Sequence, residues 1–283
     1  MNYKIFQVYY DKKQLDLLDS EFTAFDNTEN SRPELREYHI FKLAEASNYT
    51  NDLDAWGFVS PLWKHKVRVY PKDFIAWIDS NPGYDVYHIN YSRMQEAIAF
   101  NVWEQAEWYH KGISDVTKKV LSKMGIDVDF TQMPMSKDTY CMCSYFVATK
   151  EFWKNYIAFL DKFYDVANSS EELKSAVFGN SANYRKDTSI GYFPFIVERL
   201  FSTYLSVHKQ NYKIAYYPYD YSCYKKDIHN LSDLLDGIGS VKHFSMQSGD
   251  EDLFEVWKKM RSIFLKKYSG AMGYELEEFS NLK

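Results

Sequence analysis

Residues 51–112 read NDLDAWGFVSPLWKHKVRVYPKDFIAWIDSNPGYDVYHINYSRMQEAIAFNVWEQAEWYHKG, and this stretch decides the fold. Trp56-Gly57-Phe58-Val59 is an apolar run of the length of a buried strand. Residues 67–70 either extend that strand or form a loop. Pro71 stands where a helix can begin, and Phe74, Trp77 and Ile78 follow at helical spacing on one face. Asn81-Pro82-Gly83 ends the helix with strong turn chemistry. Residues 84–90, YDVYHIN, read as a second buried strand. Strand, helix and strand within about forty residues make a parallel crossover unit, so the chain is predicted to be an α/β protein with a mainly parallel central sheet.

In open sheets of this kind, ligands sit at the carboxyl ends of the strands. That rule directs attention to His88, Asn90, Tyr91 and Arg93. Directly after them, NVWEQAEWYHKG at 101–112 is dense in aromatic rings and hydrogen-bonding groups, as carbohydrate-facing surfaces often are. The same run reads equally as a helix whose Trp and Tyr pack inward while its Glu side chains face water.

Working outward, residues 3–10, YKIFQVYY, form a first strand, and its polar end suits a nucleotide-binding domain with Gln7, Tyr9 and Tyr10 near the base. No G-x-G-x-x-G follows it and no G-x-x-x-x-G-K-[ST] occurs, which disfavours a dinucleotide fold of the usual kind and a P-loop NTPase. Residues 14–25 are a short helix or loop, and 34–47 an amphipathic helix. Helices are expected at 113–125, 150–166 and 190–208, the last interrupted by Pro194, and strands at 141–149 and 212–219. Residues 168–187 read as a mobile polar loop, 225–249 as loop, and 250–268 as a closing amphipathic helix with a basic side. The division expected is a catalytic domain at 1–220 and a C-terminal extension at 221–283 packed on it.

A length of 283 residues fits one α/β domain with additions. The aromatic share is 18%, high enough to supply stacking surfaces as well as a core. A net charge of -5 argues against a nucleic-acid partner. Basic clusters at Lys64-His65-Lys66 and from Lys258 to Lys267 could meet phosphates or an anionic membrane surface, or simply be solvated. Three cysteines, Cys141, Cys143 and Cys223, without a metal-ligand pattern point to reduced thiols and a cytoplasmic setting. The N-terminus is too polar for a secretory leader, and no run approaches the ~20 apolar residues of a membrane span.

Several segments, in this order, resemble bacterial glycosyltransferases of the GT-A type found in capsule and lipopolysaccharide gene clusters. They are KIFQVYY, WGFVSPLWKHK, NPGYDVYHIN, NVWEQAEWYHKG, CMCSYFVATKEFWKNYIAFL and GYFPFIVERLFSTYLSVHKQNYKIAYYP, reaching from residue 3 to about 219. The resemblance implies a single GT-A-like, Rossmann-like domain, a nucleotide-diphospho-sugar donor (a UDP-sugar foremost) and transfer to a hydroxyl of a glycan or lipid-linked acceptor. It also implies a peripheral position on the inner membrane face.

GT-A enzymes commonly hold a divalent metal on D-x-D at the end of a middle strand. The matching place here is His88-Ile89-Asn90, a departure that leaves two options open. One is Mn²⁺ or Mg²⁺ held by His88, Asn90 or the late His243. The other is a metal-independent enzyme whose diphosphate meets Arg93, Lys64, Lys66 or His243. Donor contacts are expected from Gln7, Tyr9, Tyr10, Trp56, Lys64, His88, Asn90 and Arg93. Acceptor contacts are expected from Trp103, Trp108, His110 and Tyr145. The carboxylate that GT-A enzymes place under the acceptor resembles Glu198 in FPFIVERL, with Glu104 and Glu107 as rival bases and a structural pair with Arg199 as the bland reading. Two other functions fit the residues: a non-catalytic carbohydrate-binding protein, and a nucleotidyltransferase or hydrolase on a related sheet.

Overall fold

The computed structural model describes residues 1–179, 182–185, 188–218 and 231–268. Cys223, and those parts of the C-terminal extension at 221–230 and 269–283, lie outside the described residues. The strands are β1 (Tyr3–Tyr9), β2 (Thr23–Asp26), β3 (Ala55–Val59), β4 (Val86–His88), β5 (Phe146–Thr149), β6 (Ala182–Arg185), β7 (Thr188–Ile190) and β8 (Ile214–Tyr216). The helices that matter below are α1 (Glu37–Ala46), α2 (Trp63–Val67), α3 (Pro71–Ser80), α4 (Arg93–Ile98), α5 (Val102–Tyr109), α6 (Ile113–Lys123), α7 (Lys150–Ala167), α8 (Glu171–Phe178), α9 (Phe193–Val207), α10 (Leu231–Ser248) and α11 (Glu251–Tyr268).

Six strands form one sheet in the order β2-β1-β3-β5-β4-β8, and β6 and β7 pair as a separate hairpin. The pairings of β1 with β2, β1 with β3, and β4 with β8 are parallel. β5 runs antiparallel to both its neighbours. Its amino end therefore lies beside the carboxyl ends of β3 and β4, and the turn that enters it joins the rim where ligands bind in such sheets.

Both faces of the sheet are covered, as parallel strands require. Alternation along the strands sends Phe6, Val8, Phe58 and Phe146 to one face, where Phe41 of α1, Trp153 of α7 and Phe201 of α9 pack on them. Phe146 and Phe201 stack at 3.9 Å between ring centroids, 8° from parallel. Ile5, Val59, Tyr87 and Val147 face the other way, against Trp63 of α2 and Phe74 and Ile78 of α3. A third apolar cluster joins Ala97 and Ile98 of α4 to Leu235, Ile238, Trp257 and Phe264 of the α10–α11 pair.

Gly57 marks the tightest place in the sheet. A Cβ there would lie 2.0 Å from the Phe146 carbonyl oxygen and 2.9 Å from Val147 Cγ2. Backbone cannot yield by that much, so Gly57→Ala is expected to cost about 3 kcal/mol or prevent folding, as read by urea denaturation.

The expected α/β class and mainly parallel sheet are observed, with helical additions after the last strand. Residues 67–70 take the loop alternative, because α2 ends in the left-handed residue Arg68 (φ 58°). Three local expectations need correction. The strand expected at 141–149 begins only at Phe146, because Cys143 (φ 66°) and Ser144 (φ 51°) turn the chain first. The polar stretch after 168 contains α8, capped by Ser170 Oγ, which accepts from Leu173 N–H. Residues 231–248 are helical despite two glycines. Gly239 lets α10 approach α4 closely, since a Cβ there would meet Ala97 Cβ at 3.3 Å.

Candidate active site

A cleft of about 760 Å³ opens at the carboxyl ends of β1 and β3. That is the size of a small-molecule site. β1 contributes Tyr10 at its end, β3 leads into Ser60, and α2 supplies Lys66. α1 brings Arg36 and Glu37 at its amino end, and the turn before β5 brings Cys143. α9 forms the opposite wall with Pro194, Phe195, Glu198 and Arg199, while Gln95, Gln105, Tyr109 and His110 close the third side.

Glu198 is the best-held acid in the cleft. Its Oε1 accepts a 2.6 Å hydrogen bond from the Cys143 backbone N–H, and its Oε2 lies 3.6 Å from Arg199 Nη1. Its side chain remains 18% exposed. Arg199 is buried and fixed on all sides. It donates to Val102 O (3.1 Å), Phe195 O (2.9 Å) and Gln105 Oε1 (2.6 Å). Gln105 Nε2 donates to Gln95 Oε1, which also accepts from Ser92 Oγ. This chain of partners sets the position of Glu198 from three helices. Cys143, whose N–H is that donor, adopts the left-handed region, which is sparsely populated for a non-glycine residue.

Glu37 is the second carboxyl of the cleft. Burial raises its pKa, and the charge of Glu198 raises it further. Arg36, immediately before it, has φ 47° and ψ −122°, another strained non-glycine conformation on the same rim. Lys66 Nζ lies 3.9 Å from Cys143 Sγ, which in turn donates to Tyr91 OH at 3.4 Å. Cations and carboxylates thus share one rim, with the rings of Tyr10, Tyr91, Tyr109 and Phe195 between them.

Of the residues singled out in the sequence, the structure brings Tyr10, Lys66, Tyr91, His110 and Glu198 to this cleft. Tyr145 stands just behind it, donating to Ser60 Oγ at 2.8 Å. Gln7 is wholly buried, accepting from Asp19 N–H and donating to Ser60 O. Tyr9 points to the neighbouring strand and bonds Asp26. Trp56 stacks on Trp153 in the core, 4° from parallel, and Lys64 pairs with Asp19. Glu104 accepts from Phe100 N–H and pairs with Arg261 (2.8 Å), and both oxygens of Glu107 accept backbone N–H groups, from Gly112 and Ser114. Trp103 donates to Thr203 Oγ1 inside the core, and Trp108 packs between two apolar clusters. A second hollow of about 510 Å³ touches Trp103, Glu104 and Glu107, away from the strand ends.

Past the end of β4, Tyr91 lines the cleft, whereas His88, Asn90 and Arg93 do not. His88 is buried, with Nε2 3.0 Å from Asp138 O and its ring edge-on to Phe201. Asn90 is also buried and accepts from Ser92 N–H, Arg93 lies against Glu96, and His243 Nδ1 is 2.9 Å from Ser136 Oγ. Antiparallel β5 separates β4 from β3, so the accessible strand ends are those of β1 and β3. The sequence signal was the Val59-Ser60-Pro61 step, an apolar strand ending in a polar residue and a proline. Gln105 and Tyr109 belong to the aromatic run at 101–112, whereas Arg36, Glu37 and Cys143 carried no site signal in the sequence, because they reach the cleft only through tertiary packing.

No family model matches the sequence, and no curated protein does. Among solved structures, the apo structure of WbbM, a bifunctional glycosyltransferase, aligns with a TM-score of 0.49 at 14% identity. The alignment covers 77% of this chain and 44% of that one, so the chain spans less than half the length of WbbM.

The cleft offers few protein ligands to a divalent cation, which would take the rest of its shell from substrate phosphate and water. The cleft's carboxylates are Glu37 and Glu198, and among the described residues no three His, Cys, Asp or Glu side chains gather. Mg²⁺ asks for near-octahedral oxygen ligation.

Three histidines dictate an acid limit. Burial holds His88, His110 and His243 down to about 4. Their unfolded value is near 6.5, so between about pH 4 and 6.5 the unfolded chain binds more protons than the folded one. Stability is therefore full above about pH 6.5 and falls as pH drops toward 4. Urea unfolding at pH 5 against pH 7 should show a lower midpoint at pH 5. An unchanged midpoint would contradict the neutral, buried state of these rings.

Proposed function

We propose that the cleft is the active site of a glycosyltransferase that moves a sugar from a nucleotide-diphospho-sugar to a hydroxyl of a growing glycan. The observation that carries this reading is the meeting of three chemistries at the ends of β1 and β3. Arg36 and Lys66 supply positive charge, Tyr10 and its neighbours supply flat rings, and Glu198 is a positioned carboxylate. The nucleotide stacks at Tyr10 and its diphosphate lies against Lys66 and Arg36. The acceptor sugar lies on Phe195, Tyr109 and His110.

Glu198 Oε2 takes the proton of the acceptor hydroxyl as its oxygen attacks the anomeric carbon. The bond from that carbon to the phosphate oxygen breaks, and the nucleoside diphosphate leaves with the electron pair. A single displacement of this kind inverts the anomeric configuration. Arg199, 3.6 Å from Glu198 Oε2, holds the carboxylate in place.

Charge on the leaving diphosphate falls to Lys66 and Arg36 rather than to Mn²⁺ or Mg²⁺, so EDTA should leave turnover unchanged. The sequence resemblance supports a UDP-sugar donor and a lipid-linked or polysaccharide acceptor of capsule or lipopolysaccharide synthesis. None of the described helices is long and apolar enough to cross a membrane. Lys259, Ile263, Lys266 and Lys267 lie along one exposed side of α11, a face suited to an anionic membrane surface on the cytoplasmic side. Flotation with anionic vesicles checks that contact, and an unbound protein would remove it.

The test of the reading is a thermal-shift panel of UDP, GDP, CDP, CMP and their sugars, with and without Mn²⁺. A ligand of the folded state raises the melting temperature by mass action. One nucleotide and its sugars should do so without the metal, and Lys66→Ala should weaken that binding by about tenfold or more. No shift with any nucleotide would defeat the reading and favour a glycan-binding protein.

A further inference from the structure

A small cavity of about 50 Å³ opens off the floor of the cleft. Tyr10, Glu37, Ser60, Lys66 and Cys143 belong to both and form its neck. Beyond the neck the walls are Val8, Ile40, Phe41 and Phe58, with Ser144 and Tyr145 on the remaining side. Ser144 is 3% exposed, and its hydroxyl has no hydrogen-bond partner among the described residues. A buried unpaired hydroxyl costs about 1–3 kcal/mol, so its presence needs a reason. Ser144 also sits in the left-handed region at φ 51°, in the turn whose preceding N–H holds Glu198.

The volume is several times the ~10–15 Å³ that one water needs, and far below what a sugar ring needs. The walls suit neither water alone nor a purely apolar group. Water could reach Ser144 and Glu37 on the polar side but would leave the hydrocarbon walls, most of this surface, without a packing partner. A methyl would fill the apolar part and leave the Ser144 hydroxyl unpaired. A group that is half hydrocarbon and half hydroxyl matches both parts. The neck, moreover, carries Lys66, and a diphosphate on Lys66 brings the sugar attached to it to this neck.

We propose that this cavity receives the primary hydroxymethyl group of the transferred hexose, its methylene against Val8, Ile40 and Phe58 and its hydroxyl bonded to Ser144 Oγ and the Glu37 carboxylate. The inference rests on the transferase reading above and deepens it. The donor is a hexose bearing a 6-hydroxyl, and Ser144 and Glu37 are the residues that exclude 6-deoxy sugars.

The experiment is titration calorimetry with donor pairs on the nucleotide that the panel selects, differing only at carbon 6: D-glucose with 6-deoxy-D-glucose, D-galactose with D-fucose, and D-mannose with D-rhamnose. The free nucleoside diphosphate is titrated alongside. Wild-type protein should bind the hydroxylated member of one pair ~10-fold or more tightly than its deoxy partner, because a site built for a hydroxyl penalises its loss. Ser144→Ala should bring that pair to within about threefold and bind the free diphosphate as wild type does. Equal affinity within every pair in wild-type protein would overturn the proposal, and that comparison needs no variant to fold. Discrimination that persists in Ser144→Ala would overturn the role of Ser144. Failure of the free diphosphate to bind wild-type protein would instead overturn the transferase reading itself.

Discussion

Glu198→Gln is expected to lower turnover by about 10²–10⁴-fold, the range for loss of a general base, while the protein stays folded. The two halves of that expectation have separate causes. A Gln side chain still offers an oxygen to the Cys143 N–H, so the 2.6 Å contact that joins α9 to the turn before β5 survives. The amide cannot take a proton from an acceptor hydroxyl. Donor affinity should change little, since Lys66 and Arg36 face the diphosphate in this arrangement. Steady-state rates and the melting temperature, measured on one preparation, separate the two effects. Wild-type turnover in the variant would remove Glu198 from the chemistry and leave Glu37 as the cleft's other carboxyl.

Arg199→Met is expected to cost about 3–5 kcal/mol of stability, the range found when one member of a buried charged network is removed. Three acceptors, on Val102, Phe195 and Gln105, would lose their donor at once, and Glu198 would lose its nearest cation. Methionine fills much of the space, so the loss is one of hydrogen bonds and charge more than of packing. Urea unfolding measures it. A change under about 1 kcal/mol would mean that the network relaxes onto other donors, and that Arg199 does not brace the site.

These two neighbours show what sequence could and could not reveal. Glu198 came into view through the family resemblance, as a carboxylate within FPFIVERL that is costly to bury unpaired. Its pairing with Arg199 was legible as an alternative, and the structure has that contact on a carboxylate that still faces the cleft. Glu104 and Glu107 looked equivalent to Glu198 in residue type. Their oxygens are engaged by Phe100 N–H and Arg261, and by Gly112 and Ser114 N–H, partners that no local pattern announces.

The α/β class followed from the apolar runs at 56–59 and 84–90 with a helix between them. Which strand end is open did not follow, because β5 enters antiparallel between β3 and β4 from about sixty residues later in the chain. That insertion buries His88 and Asn90 and leaves Ser60 at the cleft. Residues 231–248, read as loop, form α10, whose Gly239 serves close packing on α4. The left-handed pair at Cys143 and Ser144 was invisible, since neither residue type advertises that conformation.

Amide hydrogen exchange read by mass spectrometry, with and without the nucleotide-sugar that the panel selects, tests the location of the donor site most directly. Bound donor should slow exchange at residues 10–14, 36–40, 60–66 and 143–146, the segments that meet at the ends of β1 and β3. Protection confined to residues 86–90, or to the hollow between Trp103 and Arg261, would contradict that location.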